Sequence, residues 1–105
     1  MKRTIKQWCK ETDIGWLGQG ATGGIPYYRR LVLGKGRTAI FSSAVKGPLP
    51  ESRTIGKREI IVFPNVNRAR NGGKISESAF RRLIAWVEDC LAGNIREIED
   101  PTRKD

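Results

Sequence analysis

Residues 76–93 constrain the fold more than any other part of the chain. Ser76 stands where a helix N-cap belongs, Ile75 before it and Phe80 at the fourth helical position form a hydrophobic staple, and Gly93 supplies the stop. Between these signals Phe80, Leu83, Ile84, Val87 and Leu91 recur at steps of three and four, and Ala79, Trp86 and Cys90 widen the stripe. An apolar face that broad needs a sheet to lie on. The spacing therefore predicts a helix over residues 76–92 packed across one.

Strand signals upstream supply that sheet. Residues 25–33 and 37–45 are two β-rich runs around a Gly34-Lys35-Gly36 turn, which reads as a hairpin with Lys35 at its tip. A third strand follows over residues 57–63. Its last four residues, Ile60-Ile61-Val62-Phe63, are all apolar, so both of its faces should be covered. It is expected to be a central strand, or one at a dimer seam. Residues 46–56, with two prolines, read as a loop. Near the N-terminus Thr4 and Gln7 have the spacing of a capping box, and Ile5, Trp8 and Cys9 share one face of the short helix that would follow.

The fold class expected is α+β: a small, mainly antiparallel sheet of three or four strands, covered on one face by the C-terminal helix, with the short N-terminal helix at an edge. At 105 residues there is room for one compact domain, placed at residues 1–93. Residues 94–105 are acidic, then mixed, and are broken by Pro101, which reads as a flexible tail. Because the sheet is small for its apolar content, Trp8, Trp16 or the Ile60 to Phe63 run would be completed by a second subunit, and a homodimer is expected.

Residues 15–24 hold five glycines and contain Gly18-x-Gly20-x-x-Gly23. The pattern matches dinucleotide-binding loops, but those need a strand before the loop, a helix after it and an acidic residue about 20 positions on. Here Ile25-Pro26 follows. A connector is the reading, with backbone amides touching a phosphate of a larger ligand as the alternative.

Charge is strongly segregated. Of the net +9, residues 14–76 account for all: they carry eleven Lys and Arg against only Glu51 and Glu59. Seven of those eleven are Arg, whose planar fork suits bidentate phosphate contact. Concentrated like charge repels itself, and a polyanionic partner relieves the repulsion. The basic stretch over residues 65–74, with Arg68, Arg70 and Lys74, has no acid and little that a core can use. In the strand 25–33, alternation puts Tyr27 and Arg29 on one face and Tyr28 and Arg30 on the other. One such pair facing outward would stack a base and hold its phosphate.

Catalysis is not expected. The chain has no His, and its two cysteines, Cys9 and Cys90, are unpaired in sequence and sit in helical segments. Acid–base work would fall to carboxylates that are scarce in the basic middle, and neither a metal nor another cofactor is implied. Met1-Lys2-Arg3-Thr4 leads into a mixed polar segment rather than an apolar signal core, and no run is long enough to span a bilayer. A cytoplasmic location without membrane contact is expected.

The function expected is a non-enzymatic nucleic-acid-binding protein, DNA favoured over RNA. Its interface would comprise Arg29, Arg30, Lys35, Arg37, Lys57, Arg58, Arg68, Arg70, Lys74 and Arg81, with Tyr27 and Tyr28 for stacking. The alternative is a small modulator or inhibitor whose basic face docks on an acidic protein surface. The chain is assigned to no family on its sequence.

Overall fold

The computed structural model describes residues 2–34, 36–55, 58–64 and 73–97, with the backbone alone at residues 34, 55 and 58. In chain order the elements are β1 (Arg3–Thr4), α1 (Ile5–Glu11), β2 (Gly15–Leu17), β3 (Gly20–Thr22), β4 (Ile25–Tyr27), β5 (Arg29–Gly34), β6 (Arg37–Ser42), β7 (Glu51–Ile55), β8 (Arg58–Pro64), β9 (Lys74–Ile75) and α2 (Glu77–Leu91).

The molecule is α+β, but its main sheet has five strands in the order β2-β5-β6-β8-β7 and is mixed. The pair β6 and β8 is parallel, while the remaining ladders of that sheet are antiparallel. The strands beyond those expected are β2 and β7, and the parallel pair follows from where β7 lies; β7 forms within residues 46–56, expected as a loop. Residues 51–54 are all exposed, so this edge strand carries no apolar alternation for a sequence to display. Its pairing with β8 places β8 between β7 and β6, and that order makes β8 parallel to β6.

Both helix signals are realised. Thr4 Oγ1 accepts from the Gln7 N–H at 3.1 Å and Gln7 Oε1 accepts from the Thr4 N–H at 2.8 Å, closing the capping box of α1. Beyond α1 the Ile14 N–H reaches the Cys9 carbonyl at 2.8 Å, with Asp13 at φ 61° in the left-handed position usually given to glycine. Helix α2 ends the same way: Asn94 N–H donates to Asp89 O at 3.0 Å across Gly93, whose φ is 101°.

Alternation along the strands gives the sheet two apolar faces. Leu31, Ala39, Phe41, Ile61 and Phe63 point toward the helices, where Phe63 meets Trp86 edge-on at 4.7 Å and Trp8 stacks on Phe80 at 5.7 Å. Trp8 and Trp86 satisfy their indole N–H groups on the carbonyls of Ile75 and Arg96, at 3.3 and 2.9 Å. Residues 94–97, placed by the sequence in the tail, thus lie along α2, and Arg96 also pairs with Asp89 at 3.0 Å. Burial pushes the Cys9 thiol up to about 12 from its ordinary 9.0.

On the other face Ile40, Ile60 and Val62 pack with Val45 under Ile25 and Tyr27 of β4. The all-apolar end of β8 is therefore covered on both sides, as a central strand requires. One chain does this alone: Trp8 is 8% exposed and Ile60 to Phe63 at most 4%. These residues need no second subunit to cover them, while Trp16, named with them, is half-buried on edge strand β2.

The glycine-rich stretch expected as a connector is structured. It supplies edge strand β2 and the hairpin β3–β4, whose two-residue turn Gly23-Gly24 has φ of 55° and 80°. Positive φ at both central residues is the turn that matches strand twist, and glycine adopts it without strain. No helix among the described residues is long and apolar enough to cross a membrane.

Candidate nucleic-acid interface

The stretch Tyr27-Tyr28-Arg29-Arg30 lies where the chain passes from β4 into β5. It is not one continuous strand. Tyr28 sits at a bend, its N–H donating to Phe41 O at 2.9 Å, so that β4 leaves the main sheet and pairs with β3. The expected alternation is corrected by that bend. Arg29 and Leu31 do share the helix-bearing face, but Tyr27 joins Arg30 on the opposite one, where the Arg30 guanidinium carbon stands 5.9 Å from the centre of the Tyr27 ring. Arg29 lies 5.9 Å from the ring centre of Trp16 and donates through Nη1 to Tyr28 O at 2.8 Å.

Glycines make this packing possible. A Cβ on Gly20 would stand 2.5 Å from Tyr27 Oη, and one on Gly18 would touch Arg29 Nη1 at 3.9 Å. The first is a collision, so β3 approaches Tyr27 closely only because residue 20 has no side chain. Gln19, Gly20, Pro26, Tyr27, Tyr28 and Ser43 line a cleft of about 350 Å³ at this junction. Ser43 is delivered there by the turn after β6, in which Ser42 Oγ accepts from the Ala44 N–H at 3.0 Å.

The two arginines differ electrostatically from five others. Arg3, Arg37, Arg53, Arg81 and Arg96 each meet a carboxylate, those of Glu11, Glu88, Glu51, Glu77 and Asp89. Arg29 and Arg30 meet none among the described residues. Both are half-buried, and their Nε atoms, like that of the paired Arg37, are enclosed without an acceptor. The nearest acid in the row of Arg30 is Glu51, three strands away across the sheet, roughly 14 Å by strand spacing, and it already holds Arg53.

The other sequence-derived candidates do not converge on this place. Arg37 reaches across to Glu88 of α2 at 3.8 Å, and Arg81 holds Glu77 at 2.6 Å. Hydrogen bonding and charge from Arg81 keep the Glu77 carboxyl below the usual carboxylate range. Arg81 near the start of α2 and Glu88 near its end both oppose the helix dipole, and each has a local counter-charge in these pairs. Lys74 is exposed on β9, which pairs with β1 in a separate two-stranded sheet. Lys35, Lys57, Arg68 and Arg70 lie outside the described residues, as does the side chain of Arg58. The sequence did not mark Trp16, Gln19 and Ser43 as site residues; the β2–β5 ladder brings Trp16 to Arg29, and the bend at Tyr28 with the β3–β4 hairpin brings in the other two.

No family model, curated protein or solved structure matches the chain.

Proposed function

We propose that the protein binds nucleic acid without catalysis, DNA favoured over RNA, gripping phosphates through its basic central region. The observation that carries this reading is the Arg29–Arg30 pair, half-buried on aromatic rings and without a carboxylate partner among the described residues, beside a cleft lined by two tyrosines. A guanidinium partly withdrawn from water and not neutralised within the chain favours an anion from outside, and its planar fork fits a phosphate. Arg58, Arg68, Arg70, Lys35, Lys57 and Lys74 extend the same basic stretch of sequence.

Fluorescence anisotropy with labelled single- and double-stranded DNA and RNA, each at low and near-physiological salt, tests the proposal. Affinity should fall with salt along a log–log slope of about −0.7 to −0.9 per phosphate held. Replacing Arg29 and Arg30 together by Ala should weaken binding at least about tenfold and flatten that slope by about 1 to 2. Binding that vanishes on every ligand at physiological salt would sink the proposal and turn the basic region into a docking surface for an acidic protein.

A further inference from the structure

We infer that the cleft at the β4–β5 bend receives a single unstacked nucleobase, so that the ligand is a single strand rather than a duplex; the inference rests on the nucleic-acid reading above. Three features of the cleft point the same way.

Its size is the first. About 350 Å³ is at the low end of the roughly 300–1,000 Å³ that small-molecule sites occupy, enough for one base with part of its sugar and too little for a paired stack.

Its chemistry is the second. The walls offer the rings of Tyr27 and Tyr28 together with the Gln19 amide and the Ser43 hydroxyl, both of which donate and accept. In a duplex the flat faces of the bases are covered by their neighbours and only their edges are presented in the grooves. Tyrosine rings therefore have nothing to stack on until a base is turned out, whereas a single strand presents its bases without that penalty.

The third is the flanking charge. Arg30 stands against the Tyr27 ring on the same face of the sheet, while Arg29, tied to the Tyr28 carbonyl at the bend, lies over Trp16 on the other face, so Arg30 is the cation next to the aromatic wall. A nucleotide places its phosphate next to its base, and a site for the pair needs an aromatic wall and a cation in that order. Gly20 keeps the wall where it is, since any side chain there would displace the Tyr27 hydroxyl.

The test compares four ligands of about 25 nucleotides, longer than the usual footprint of a single-strand site: single-stranded DNA, single-stranded RNA, the DNA duplex, and an abasic DNA strand with the same phosphates. The unaltered protein should bind either single strand at least about tenfold more tightly than the duplex or the abasic strand, and the DNA and RNA arms show whether the 2′-hydroxyl matters. Tyr28→Ala should weaken single-strand binding between about five- and a hundredfold, with Tyr28→Trp restoring it. Gln19→Ala, at an exposed position, supplies a variant whose folding is not in question. It should weaken single-strand binding and leave the abasic strand unaffected. If the abasic strand or the duplex binds as tightly as the normal single strand while Arg29→Ala and Arg30→Ala still weaken all four, the base site is wrong and the phosphate grip stands. If the arginine variants change nothing on any ligand, the nucleic-acid reading itself has failed.

Discussion

The two faces of the main sheet are covered in different ways, and the difference separates what holds the molecule together from what it offers a partner. The helix-bearing face is closed by α1 and α2 with large rings in mutual contact, and Glu77, Arg81, Glu88 and Asp89 of α2 each meet a side chain of opposite charge. The opposite face has a smaller apolar cluster under the light β3–β4 hairpin, and beside it Arg30 lacks a carboxylate partner among the described residues. Each face also has a cleft. The one between α1 and α2, about 400 Å³, is lined by Trp8, Phe80 and Ile84 with Glu77, Arg81 and Glu88, so its acids outnumber its base and suit it poorly to a polyanion. The one at the β4–β5 bend contains no acid. Packing energy is thus concentrated on the helix side, while the two arginines without a carboxylate among the described residues divide between the faces, Arg29 on the helix side and Arg30 opposite.

The largest effect that would break this comparison is on stability. Trp86 is 1% exposed and touches Phe63, so Trp86→Ala should cost about 3–5 kcal/mol in urea unfolding. The fraction still folded should bind single strands with unchanged affinity. A selective loss of binding would mean that the helix layer belongs to the interface.

Next in size is an alkaline effect confined to the helix side. Cys9 has its thiol raised from 9.0 to about 12, so the folded state holds the proton that the unfolded chain gives up first. Stability should therefore be intact below pH 9 and fall between pH 9 and 12, by up to about 1.4 kcal/mol per pH unit. Urea midpoints measured across that window should lose their slope in Cys9→Ala. An identical slope in both proteins would assign it to other groups.

Smallest should be the effect of the paired arginines. Arg37 and Arg81 are 40% and 75% exposed in their side chains, and such exposed pairs are worth about 0–1 kcal/mol. Replacing either by Ala should shift the unfolding midpoint little and change nucleic-acid affinity by less than about twofold, beyond the general loss of one charge. A loss as large as that from Arg29 and Arg30 would show that the interface extends to the ion pairs of α2.

Legibility in the sequence followed the same division. The capping box at Thr4 and Gln7, the Ser76 cap, the Gly93 stop and the stripe of α2 all depend on spacings within one element, and all are present as read. The hairpin β5–β6 and the doubly covered end of β8 were legible for the same reason. What escaped were strands whose residues carry no signal of their own. Glu51 to Thr54 are polar on both sides because β7 is an edge, and the glycines of β2 and β3 are there to admit Val32 and Tyr27 rather than to break structure. Gly23-Gly24 between Ala21-Thr22 and Ile25 was a hairpin signal in plain view, hidden by the glycines around it.

By itself, then, the sequence determined the class of the fold, the two helices with their caps, the central apolar strand and the excess of positive charge between residues 14 and 76. Each of these is a property of local spacing or of composition. The tertiary structure alone decided that β8 runs parallel to β6, that Tyr27 belongs with Arg30 and not Arg29, and which arginines find acids. Those outcomes depend on hydrogen bonds and ion pairs between residues far apart in the chain, such as Arg37 with Glu88, and on one bend at Tyr28 that reverses the parity of everything before it.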